Sequence, residues 1–560
     1  MKPRLFSARR AFLLACALSL VLRPAGAAEG PVVVTILQTT DLHGHLLPWD
    51  YPRAQAADEG LARVASRIAA IRRETPNVLL LDAGDTIQGT PVEYLHAKSL
   101  QSGPDPMSAA MSAVRYDAMA VGNHEFNFGL AVLRKAQKEA SFPWLSANTR
   151  NADGSAAFPE YIVKTVAGVR IGVLGLTTPN IPNWEPERNR PGLTWEDPVV
   201  TVRRLVPVLR GREKCDFVAI LIHSGPELDL KTGEPDGTDA ENRVVAVSKV
   251  PGIDLLLTGH THRRIPLTHI NGVPMIQPGR WGDVLARVDV TFTRGRKGWT
   301  VAGVTGELLP SVASLALDPA VVAIATPHDG AARAYMDERI AVADGDFPGA
   351  RARLEDSALL DFVSDTMLRA TGADLAMTSL LPGRFEGWPK GPISVRQVYG
   401  LYPYENQLVA VEIDGAALKA CLERAAEFYG ASSWEGGRLV LKPRENMIPY
   451  NFDVVQGATY RIDPTAPVGG RVKDLAFHGR SVAPGDRFTL AVNSYRAQGS
   501  GGYTALKGAR VVKDIPDEIR ELLIARLREL GHVSPVTDHN WIVAPDAVWA
   551  PEGPRRPAAN

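Results

Sequence analysis

The sequence predicts a protein of two α/β domains, the first of them layered and built on buried parallel strands. With 560 residues, the chain is too long for a single hydrophobic core. From residue 31 to about residue 310, short apolar runs alternate with helical patterns, which is the order of βαβ units. A second set of strand patterns, at residues 408–413 and 487–492, follows a separate helical stretch. The chain therefore divides into two folded units joined by a linker.

Five short polar motifs follow apolar runs of the first domain. The runs occupy residues 32–37, 78–81, 119–121, 217–222 and 253–257. The motifs after them are Asp41-Leu42-His43, Gly84-Asp85, Gly122-Asn123-His124-Glu125, His223-Ser224-Gly225 and Gly259-His260-Thr261-His262. Short apolar runs that end in Gly, Asp or His are typical of buried parallel strands. Because open α/β sheets place their sites where such strands end, we expect the motifs to meet at one edge of a sheet.

These motifs contain seven side chains that could bind metal. A single histidine is more often a hydrogen-bonded core or surface residue, and an aspartate at a strand end is more often a turn or helix cap. Here, however, five of the chain's twelve histidines fall within the five motifs. The candidate ligands are Asp41, His43, Asp85, Asn123, His223, His260 and His262. Carboxylate, imidazole and amide groups together favour divalent transition metals over Ca²⁺ or Mg²⁺, which prefer shells of oxygen alone.

Helical patterns separate the strands and set the predicted boundaries. In the first domain they lie at residues 61–71, 105–114, 130–140 and 199–209. We predict a first domain over residues 31–317, a helical linker over 318–350 and a second domain over 351–546. The Pro- and Arg-rich residues 547–560 are predicted to form a disordered tail.

The first 27 residues are typical of a secretory signal peptide. A basic segment ends at Arg10, an apolar stretch covers residues 11–22, and Ala25-Gly26-Ala27 has the small-x-small form of a cleavage site. The stretch is too short for a comfortable membrane span. A weak lipoprotein-like box at Cys16 is the less favoured alternative. We therefore expect a periplasmic or secreted protein without a membrane span, in which the remaining cysteines, Cys215 and Cys421, are unpaired.

Cleavage of this segment would change the net charge. The whole chain has 62 basic and 62 acidic residues, and the first 27 residues carry five basic residues and no acid. The remaining 57 basic and 62 acidic residues have a net charge of −5. Such a protein offers no basic surface for duplex nucleic acid. Because 45% of residues are hydrophobic and 22% charged, we expect an ordinary globular protein. We also expect it to be a monomer.

The five motifs, in this order, resemble those of the calcineurin-like metallophosphoesterases. The second domain resembles the C-terminal substrate domain of the secreted 5′-nucleotidase group. The resemblance covers nearly all of the chain after the signal peptide. It implies a layered calcineurin-like metallophosphoesterase domain followed by a 5′-nucleotidase-type C-terminal α/β domain.

The resemblance also implies a centre of two divalent metal ions, drawn from Mn, Zn, Co or Fe. Asp85 would bridge the ions, with one oxygen to each. The remaining ligands are Asp41, His43 and His262 for one ion, and Asn123, His223 and His260 for the other. Two ions ~3.5–4 Å apart clamp a phosphoryl group and activate water. His124 would contact the phosphate or protonate the leaving oxygen, and Asn127 would orient it.

Several loop motifs are most similar to one branch of the group, the 2′,3′-cyclic-nucleotide 2′-phosphodiesterase/3′-nucleotidases. They are Ile181-Pro182-Asn183-Trp184, Pro449-Tyr450-Asn451-Phe452-Asp453-Val454, Asn493-Ser494-Tyr495-Arg496-Ala497 and Asp538-His539-Asn540-Trp541. In that branch two tyrosines sandwich the base, and Tyr450 and Tyr495 match them, with Asn451 as a further candidate contact. Arg384 lies where the wider group has a substrate-contacting arginine. The alternatives are two ordinary half-buried aromatic side chains and a surface arginine.

Three departures from the 5′-nucleotidases favour the same branch. Asn127 stands where those enzymes have aspartate, and an amide orients a histidine without stabilising an imidazolium as a carboxylate would. The loop Gly499-Ser500-Gly501-Gly502 lacks the acid that holds the ribose. Phe428 occupies the matching position of a helix arginine.

The predicted function is two-metal hydrolysis of nucleotide phosphoesters for extracytoplasmic nucleotide scavenging. The predicted substrates are 2′,3′-cyclic nucleotides and 3′-nucleotides. A 5′-nucleotidase or UDP-sugar hydrolase is the alternative within this class. A nucleotide-binding protein without catalysis is the alternative from another class, and the intact ligand positions and His124 disfavour it.

Overall fold

Two six-stranded sheets form the centre of the first domain. The computed structural model describes residues 30–99, 103–235, 237–296, 298–445 and 447–550, so the predicted signal peptide lies outside the described residues. In spatial order, the first sheet contains Gly298–Pro310, Val284–Gly295, Val32–Thr39, Val78–Asp82, Ala118–Ala120 and Trp144–Leu145. The second sheet contains Arg264–Ile270, Val273–Pro278, Leu255–Thr258, Phe217–His223, Val169–Thr177 and Tyr161–Val166.

Alternating side chains along the strands separate the layers. Leu79 and Leu81 are buried together with Leu221 and Leu257 of the second sheet, whereas Leu80 belongs to the cluster of the outer helices. Successive residues of a strand point to opposite faces, so one apolar run serves two interfaces. The helices Leu61–Glu74, Pro106–Val114 and Gly129–Glu139 cover the first sheet, and Pro198–Gly211 and Val244–Ser248 cover the second. The domain is thus a four-layer α/β/β/α sandwich, and the predicted helices are present.

The five predicted strands are present, but they do not end at the edge of a single sheet. Three of them belong to the first sheet and two, Phe217–His223 and Leu255–Thr258, belong to the second. Strands buried on both faces give continuous apolar runs whether the covering layer is a helix or another sheet. The expectation of one sheet edge was therefore wrong, and the motifs instead meet where both sheets end on the same side.

The predicted linker is helical only in its first part. The helix Pro319–Asp337 begins after its N-cap Asp318 and packs against Pro106–Val114. The strand Arg339–Ala343 then pairs with Gly391–Ser394 and His532–Val533. Residues 339–350, predicted as linker, thus join the second domain, because Ile340, Ala341 and Ala343 are buried in its core.

The second domain is built on a five-stranded mixed sheet. In spatial order its strands are Asp453–Gln456, Leu375–Ser379, Arg487–Asn493, Gln407–Asp414 and Arg510–Glu518. The strands predicted at 408–413 and 487–492 are antiparallel neighbours. The helices Ala358–Thr371, Gly415–Ala426 and Ile519–Leu530 pack on this sheet.

The predicted disordered tail begins too early. Residues Ala547–Trp549 form a strand parallel to Arg438–Pro443. Trp549 packs against Phe428 and Tyr429, so this short apolar segment has a core to join. The remaining tail, residues 551–560, lies outside the described residues.

Cys215 and Cys421 are both buried and unpaired, as predicted. Over the described part of the chain, no helix combines the length and the apolar character that a membrane crossing requires.

Candidate functional site

The seven predicted metal-binding side chains form two groups at the common end of the two sheets. For six of them, the ligand atoms lie within 4.8 Å of one another in each group. The groups are Asp41, His43 and His262, and Asp85, His223 and His260. Asn123 joins the second group, because its Oδ1 lies 3.2 Å from His223 Nε2. Each group thus combines residues from both sheets.

The backbone turns sharply at these ligands. Five of them are non-glycine residues in the left-handed region, with φ values of 50° (Asp41), 46° (His43), 61° (Asp85), 73° (His260) and 56° (His262). Such conformations cost of order 1–3 kcal/mol each and persist only where surrounding contacts hold them. Gly122 shows how closely the loops approach, because a Cβ there would lie 2.1 Å from Asp85 Oδ1.

Glu125 is one of the contacts that hold these turns. Its buried carboxylate accepts hydrogen bonds from the main-chain N–H groups of Asp85 (3.0 Å), Thr86 (2.6 Å) and Gly122 (2.6 Å). These groups belong to the loops after two neighbouring strands. Sequence reasoning gave Glu125 no role, although its position after His124 was visible in the motif.

Main-chain carbonyl groups orient two of the histidines. His223 Nδ1 lies 2.7 Å from the carbonyl oxygen of Ala83, and His43 Nδ1 lies 3.1 Å from that of Gln88. A carbonyl only accepts, so Nδ1 of each ring carries a hydrogen, and Nε2 is the ring atom that could bind a metal ion. His223 Nε2 then faces Asp85 Oδ2 at 2.9 Å, and His43 Nε2 faces His262 Nε2 at 3.1 Å. These facing atoms are the ones through which a cation would be bound.

Asp85 lies between the two groups, and only one of its carboxylate oxygens faces both of them. Its Oδ2 is 2.9 Å from His223 Nε2 and 3.9 Å from His43 Nε2. Its Oδ1 accepts a hydrogen bond of 2.8 Å from the main-chain N–H of His124. The expectation of one oxygen for each ion therefore differs from this geometry, in which Oδ2 alone faces both groups.

The electrostatics of the site keep two imidazoles neutral. Burial, the largest influence, lowers the pKa of His43 to about 3 and that of His260 to about 3. Burial would also lower the pKa of His223, but the adjacent Asp85 carboxylate raises it to about 10. A metal ion competes with a proton for that same lone pair, so metal binding at His223 releases a proton.

The donor set fits a pair of divalent transition-metal ions. Asp41 Oδ1 is buried without a hydrogen-bond partner and lies 3.3 Å from His262 Nε2. An unsatisfied buried carboxylate oxygen is costly unless an ion binds it. Mixed carboxylate, imidazole and amide donors are the set such ions prefer.

His124 is oriented by a short relay that ends in a carboxylate. Its Nδ1 lies 2.6 Å from Asn127 Oδ1, and Asn127 Nδ2 donates to Glu185 Oε1 at 2.5 Å. Burial would lower the pKa of His124, but Asp85, the hydrogen bond to Asn127 and the charges of Glu185 and Glu405 raise it. Position 127 has no carboxylate, but Glu185 supplies one to His124 through Asn127. Sequence reasoning missed Glu185, although it directly follows the loop motif at residues 181–184.

A second relay connects the second domain to His43. Gln88 Oε1 lies 3.0 Å from His43 Nδ1, and Gln88 Nε2 donates to Glu405 Oε2. Glu405 Oε1 in turn accepts from Arg520 at 2.9 Å, and both side chains are buried. A carboxylate only accepts, so Glu405 fixes the orientation of the Gln88 amide, and this amide supports the His43 tautomer whose Nε2 faces the metal group.

Replacing Glu405 by Gln should weaken metal binding by about 10-fold, the lower end of the effect of such supporting residues. The new amide can donate, so the Gln88 side chain could turn and present its NH₂ group to His43. The main-chain carbonyl of Gln88, which also accepts from His43 Nδ1, would limit the loss. Chelator competition measures the metal affinity. Glu518→Gln is the matched control, because Glu518 also contacts Arg520, at 3.2 Å. Equal losses in both variants would mean that this cluster supports only the fold.

The two predicted base-binding tyrosines lie on loops joined by Arg496. This buried arginine donates to the carbonyl oxygens of Tyr450 (2.6 Å) and Ser500 (3.3 Å) and pairs with Asp453 at 3.0 Å. Its guanidinium lies 5.9 Å from the Tyr450 ring and 5.4 Å from the Tyr495 ring. Burial and the neighbouring Tyr450 raise the pKa of Tyr495. The structure thus brings the tyrosines together around one buried cation.

Each tyrosine loop lies within the electrostatic field of a charged residue near the metal ligands. Tyr404 packs edge-on against Tyr450 at 6.1 Å and lies within the field of Arg280, which approaches His262 Nδ1 to 3.2 Å. Tyr495 lies within the field of Glu241, whose carbonyl accepts from Ser224, the residue after His223. The tyrosine loops therefore face the metal residues across the domain boundary.

The other predicted substrate contacts are placed less directly. Asn451 is buried, and its Oδ1 lies beneath Gly501, at 2.4 Å from where a Cβ of that glycine would stand. Arg384 lies on an exposed loop and pairs with Glu386 at 2.8 Å. Phe428 packs in an aromatic cluster with Phe452 and Trp549.

The loop at residues 499–502, which contains no acidic residue, is held by Arg424 as well as by Arg496. Arg424, on the helix Gly415–Ala426, donates to the carbonyl oxygen of Gly501 through Nε (3.0 Å) and Nη2 (2.9 Å). This carbonyl is therefore already bonded within the protein. The loop offers no carboxylate to a ribose.

Comparison with family models gives two matches that agree with the two domains. Residues 34–264 match the model described as calcineurin-like phosphoesterase. Residues 339–508 match the model described as 5′-nucleotidase, C-terminal domain. The second match begins at the strand Arg339–Ala343, which the structure also places in the second domain.

Curated relatives match along most of the chain. It is 30% identical to the 2′,3′-cyclic-nucleotide 2′-phosphodiesterase/3′-nucleotidase of Yersinia enterocolitica, over 95% of this chain and 91% of that protein. It is 29% identical to the trifunctional nucleotide phosphoesterase YfkN of Bacillus subtilis, over 92% of this chain but only 39% of that longer protein. Among solved structures, one from Staphylococcus aureus described as a 5′-nucleotidase superposes with a TM-score of 0.78 at 27% identity, covering 91% of this chain and 100% of that one.

Proposed function

This chain belongs to the calcineurin-like metallophosphoesterases that carry a 5′-nucleotidase C-terminal domain, and from that premise we propose that it hydrolyses 2′,3′-cyclic nucleotides and 3′-nucleotides. Membership makes it a metal-dependent phosphoester hydrolase. The two ions would neutralise phosphoryl charge and activate water when bound. The residues that would hold them are Asp41, His43, Asp85, Asn123, His223, His260 and His262.

The observation that carries the proposal is the position of Tyr450 and Tyr495 opposite the metal residues. A base stacked on these rings would extend its phosphate toward the end of the two sheets. His124, oriented through Nδ1 by Asn127, has Nε2 available to contact the phosphate or protonate the leaving oxygen. The protein thus separates two tasks, with the nucleoside held by the second domain and the phosphate by the first.

The proposed preference for 3′ and cyclic phosphates rests on the ribose side of the site. The loop at Gly501 lacks a carboxylate, and Arg424 occupies its carbonyl. Without that grip on the ribose hydroxyls, a 5′-nucleotide loses a contact that favours it. The Yersinia relative carries the same two activities in its name.

We also propose a periplasmic or secreted location, since the first 27 residues have the pattern of a cleavable signal. Cell fractionation tests this, and a full-length product confined to the cytoplasm would contradict it. Such a location suits an enzyme that scavenges nucleotides, because charged nucleotides do not cross a lipid bilayer.

A substrate panel with two tyrosine variants tests the proposed function. With added Mn²⁺ or Co²⁺, wild type should prefer 2′,3′-cyclic AMP and 3′-AMP to 5′-AMP and UDP-glucose. Tyr450→Ala and Tyr495→Ala should each lower kcat/KM for the two preferred substrates by roughly tenfold or more, since stacking on one base contributes ~1–3 kcal/mol. Turnover of bis(p-nitrophenyl) phosphate, which has no nucleobase, should change little.

Tyr450→Phe and Tyr495→Phe are the matched controls, because they keep the stacking rings. Their kcat/KM should stay near the wild-type value. A panel led by 5′-AMP or UDP-glucose would favour the alternative nucleotidase or sugar-nucleotide activity. An equal loss on bis(p-nitrophenyl) phosphate would mean that the tyrosines support the fold.

A further inference from the structure

Three aspartates of the second domain converge away from the phosphoesterase centre. Asp356, Asp361 and Asp538 each bring a carboxylate oxygen within 4.8 Å of the others. Asp356 and Asp361 flank the start of the helix Ala358–Thr371, and Asp538 comes from the segment near the end of the chain. The motif Asp538-His539-Asn540-Trp541 has no part in the proposed hydrolysis.

Asp361 is the most constrained of the three. Its side chain is only 6% exposed, and its Oδ2 is buried without a hydrogen-bond partner. Burial and the charges of Asp356 and Asp538 raise the pKa of Asp361 to about 8. With such a pKa the carboxyl group keeps a proton at neutral pH, and a cation among the three carboxylates would displace that proton and satisfy the Oδ2 atom that no donor reaches.

The protein supplies only neutral partners to the cluster. Asp356 accepts from the main-chain N–H groups of Ser357 (2.9 Å) and Asn540 (3.3 Å). Asp538 accepts from the N–H of Asn540 (3.1 Å) and the side-chain amide of Gln456 (2.7 Å). Among the ion pairs of the described residues, none involves these three aspartates. The arginines on this face, Arg369 and Arg526, pair with Glu529 instead.

The start of the helix does not account for the cluster. A helix N-terminus stabilises a nearby carboxylate by about 0.3–1 kcal/mol, which explains two acids there. It does not explain why a second segment adds Asp538 to the same point. Nor does it satisfy the buried Oδ2 of Asp361.

We propose that Asp356, Asp361 and Asp538 form a Ca²⁺ site, which fastens the C-terminal segment to the first helix of the second domain. The three donors are all oxygens, whereas zinc and related ions prefer nitrogen or sulfur ligands. Ca²⁺ tolerates irregular geometry and six to eight ligands, whereas Mg²⁺ requires a near-ideal octahedron. Asp538 is exposed, so water can complete the shell.

The site adjoins a direct link between the same two segments. Glu355 and Ile542 form an isolated antiparallel bridge beside the cluster. A bound ion would add a second link next to this bridge. We therefore expect Ca²⁺ to stabilise the second domain without taking part in hydrolysis.

Calcium titration of the whole protein, with the phosphoesterase centre saturated by Mn²⁺, tests the proposal. Isothermal titration should find one Ca²⁺ per chain with a Kd of roughly 10⁻⁴–10⁻³ M, the range of extracellular calcium modules. The same Ca²⁺ should raise the unfolding temperature by about 5 °C at saturation. Asp361→Asn and Asp538→Asn should each lose both effects.

Asp365→Asn is the matched control, because Asp365 lies one turn further along the same helix and outside the cluster. It should bind Ca²⁺ as wild type does. Asp85→Asn, altered at the phosphoesterase centre, should also retain Ca²⁺ binding, so this test is independent of the proposed function. If Asp361→Asn fails to fold, the exposed Asp538→Asn decides. Absence of binding in wild type, unchanged binding in Asp538→Asn, or its loss in Asp85→Asn would overturn the proposal.

Discussion

Asp85→Asn should abolish turnover and lower metal occupancy. Asp85 Oδ2 faces both metal groups, while Oδ1 accepts from the N–H of His124. An asparagine would keep its oxygen toward that N–H and turn its NH₂ toward His223 and His43. An NH₂ group donates to the bare Nε2 lone pairs and binds no cation. The negative charge that holds two cations together is lost as well.

Elemental analysis of the purified variant, together with turnover of bis(p-nitrophenyl) phosphate, measures both effects. Circular dichroism establishes that the fold is intact. Because Asp85 is buried in a strained turn, a folded variant with little metal is the informative result. If the variant retains both metals and a near-normal rate, the assignment of the site is wrong.

His124→Ala should leave the metals in place and lower kcat by ~10²–10⁴, as expected for loss of a general acid or a phosphate contact. His124 belongs to neither ligand group, and its ring lies 5.2 Å from that of His43. The relay through Asn127 and Glu185 favours the imidazolium that a general acid requires. Metal content and kcat for 3′-AMP are the two measurements.

The leaving group separates the possible roles of His124. p-Nitrophenolate leaves without a proton, so the variant should lose less activity on bis(p-nitrophenyl) phosphate than on 3′-AMP, whose leaving oxygen needs one. An equal loss on both substrates would assign His124 to charge stabilisation alone. Loss of metal from the variant would instead make His124 a ligand.

Some features were accessible from the sequence because they depend on local order along the chain. The five strands, the four helices between them and the polar motifs at the strand ends follow from periodicity and from residue type. The metal-ligand set could be proposed because each ligand adjoins the end of a strand. Tyr450 and Tyr495 came from resemblance, since nothing in an isolated tyrosine marks a base platform.

Other features depend on contacts between distant segments. Glu185 reaches His124 only through Asn127, and Glu405 reaches His43 only through Gln88 from the second domain. The strands Arg339–Ala343 and Ala547–Trp549 are too short to be distinguished from linker or tail until their partners are known. Short strands gain their stability from pairing and burial rather than from local preference.

By itself, the sequence determined the class of the fold, the strand-end motifs and the chemical nature of the donors, because these follow from hydrophobic periodicity and side-chain type. Only the tertiary structure decided that two sheets rather than one carry the motifs, and that Asp85 faces both metal groups with one oxygen. It also decided which carboxylates support His124 and His43. The physical reason is the same in each case: hydrogen bonds and shared ligands join atoms that are close in space but far apart along the chain, and their geometry is set by packing.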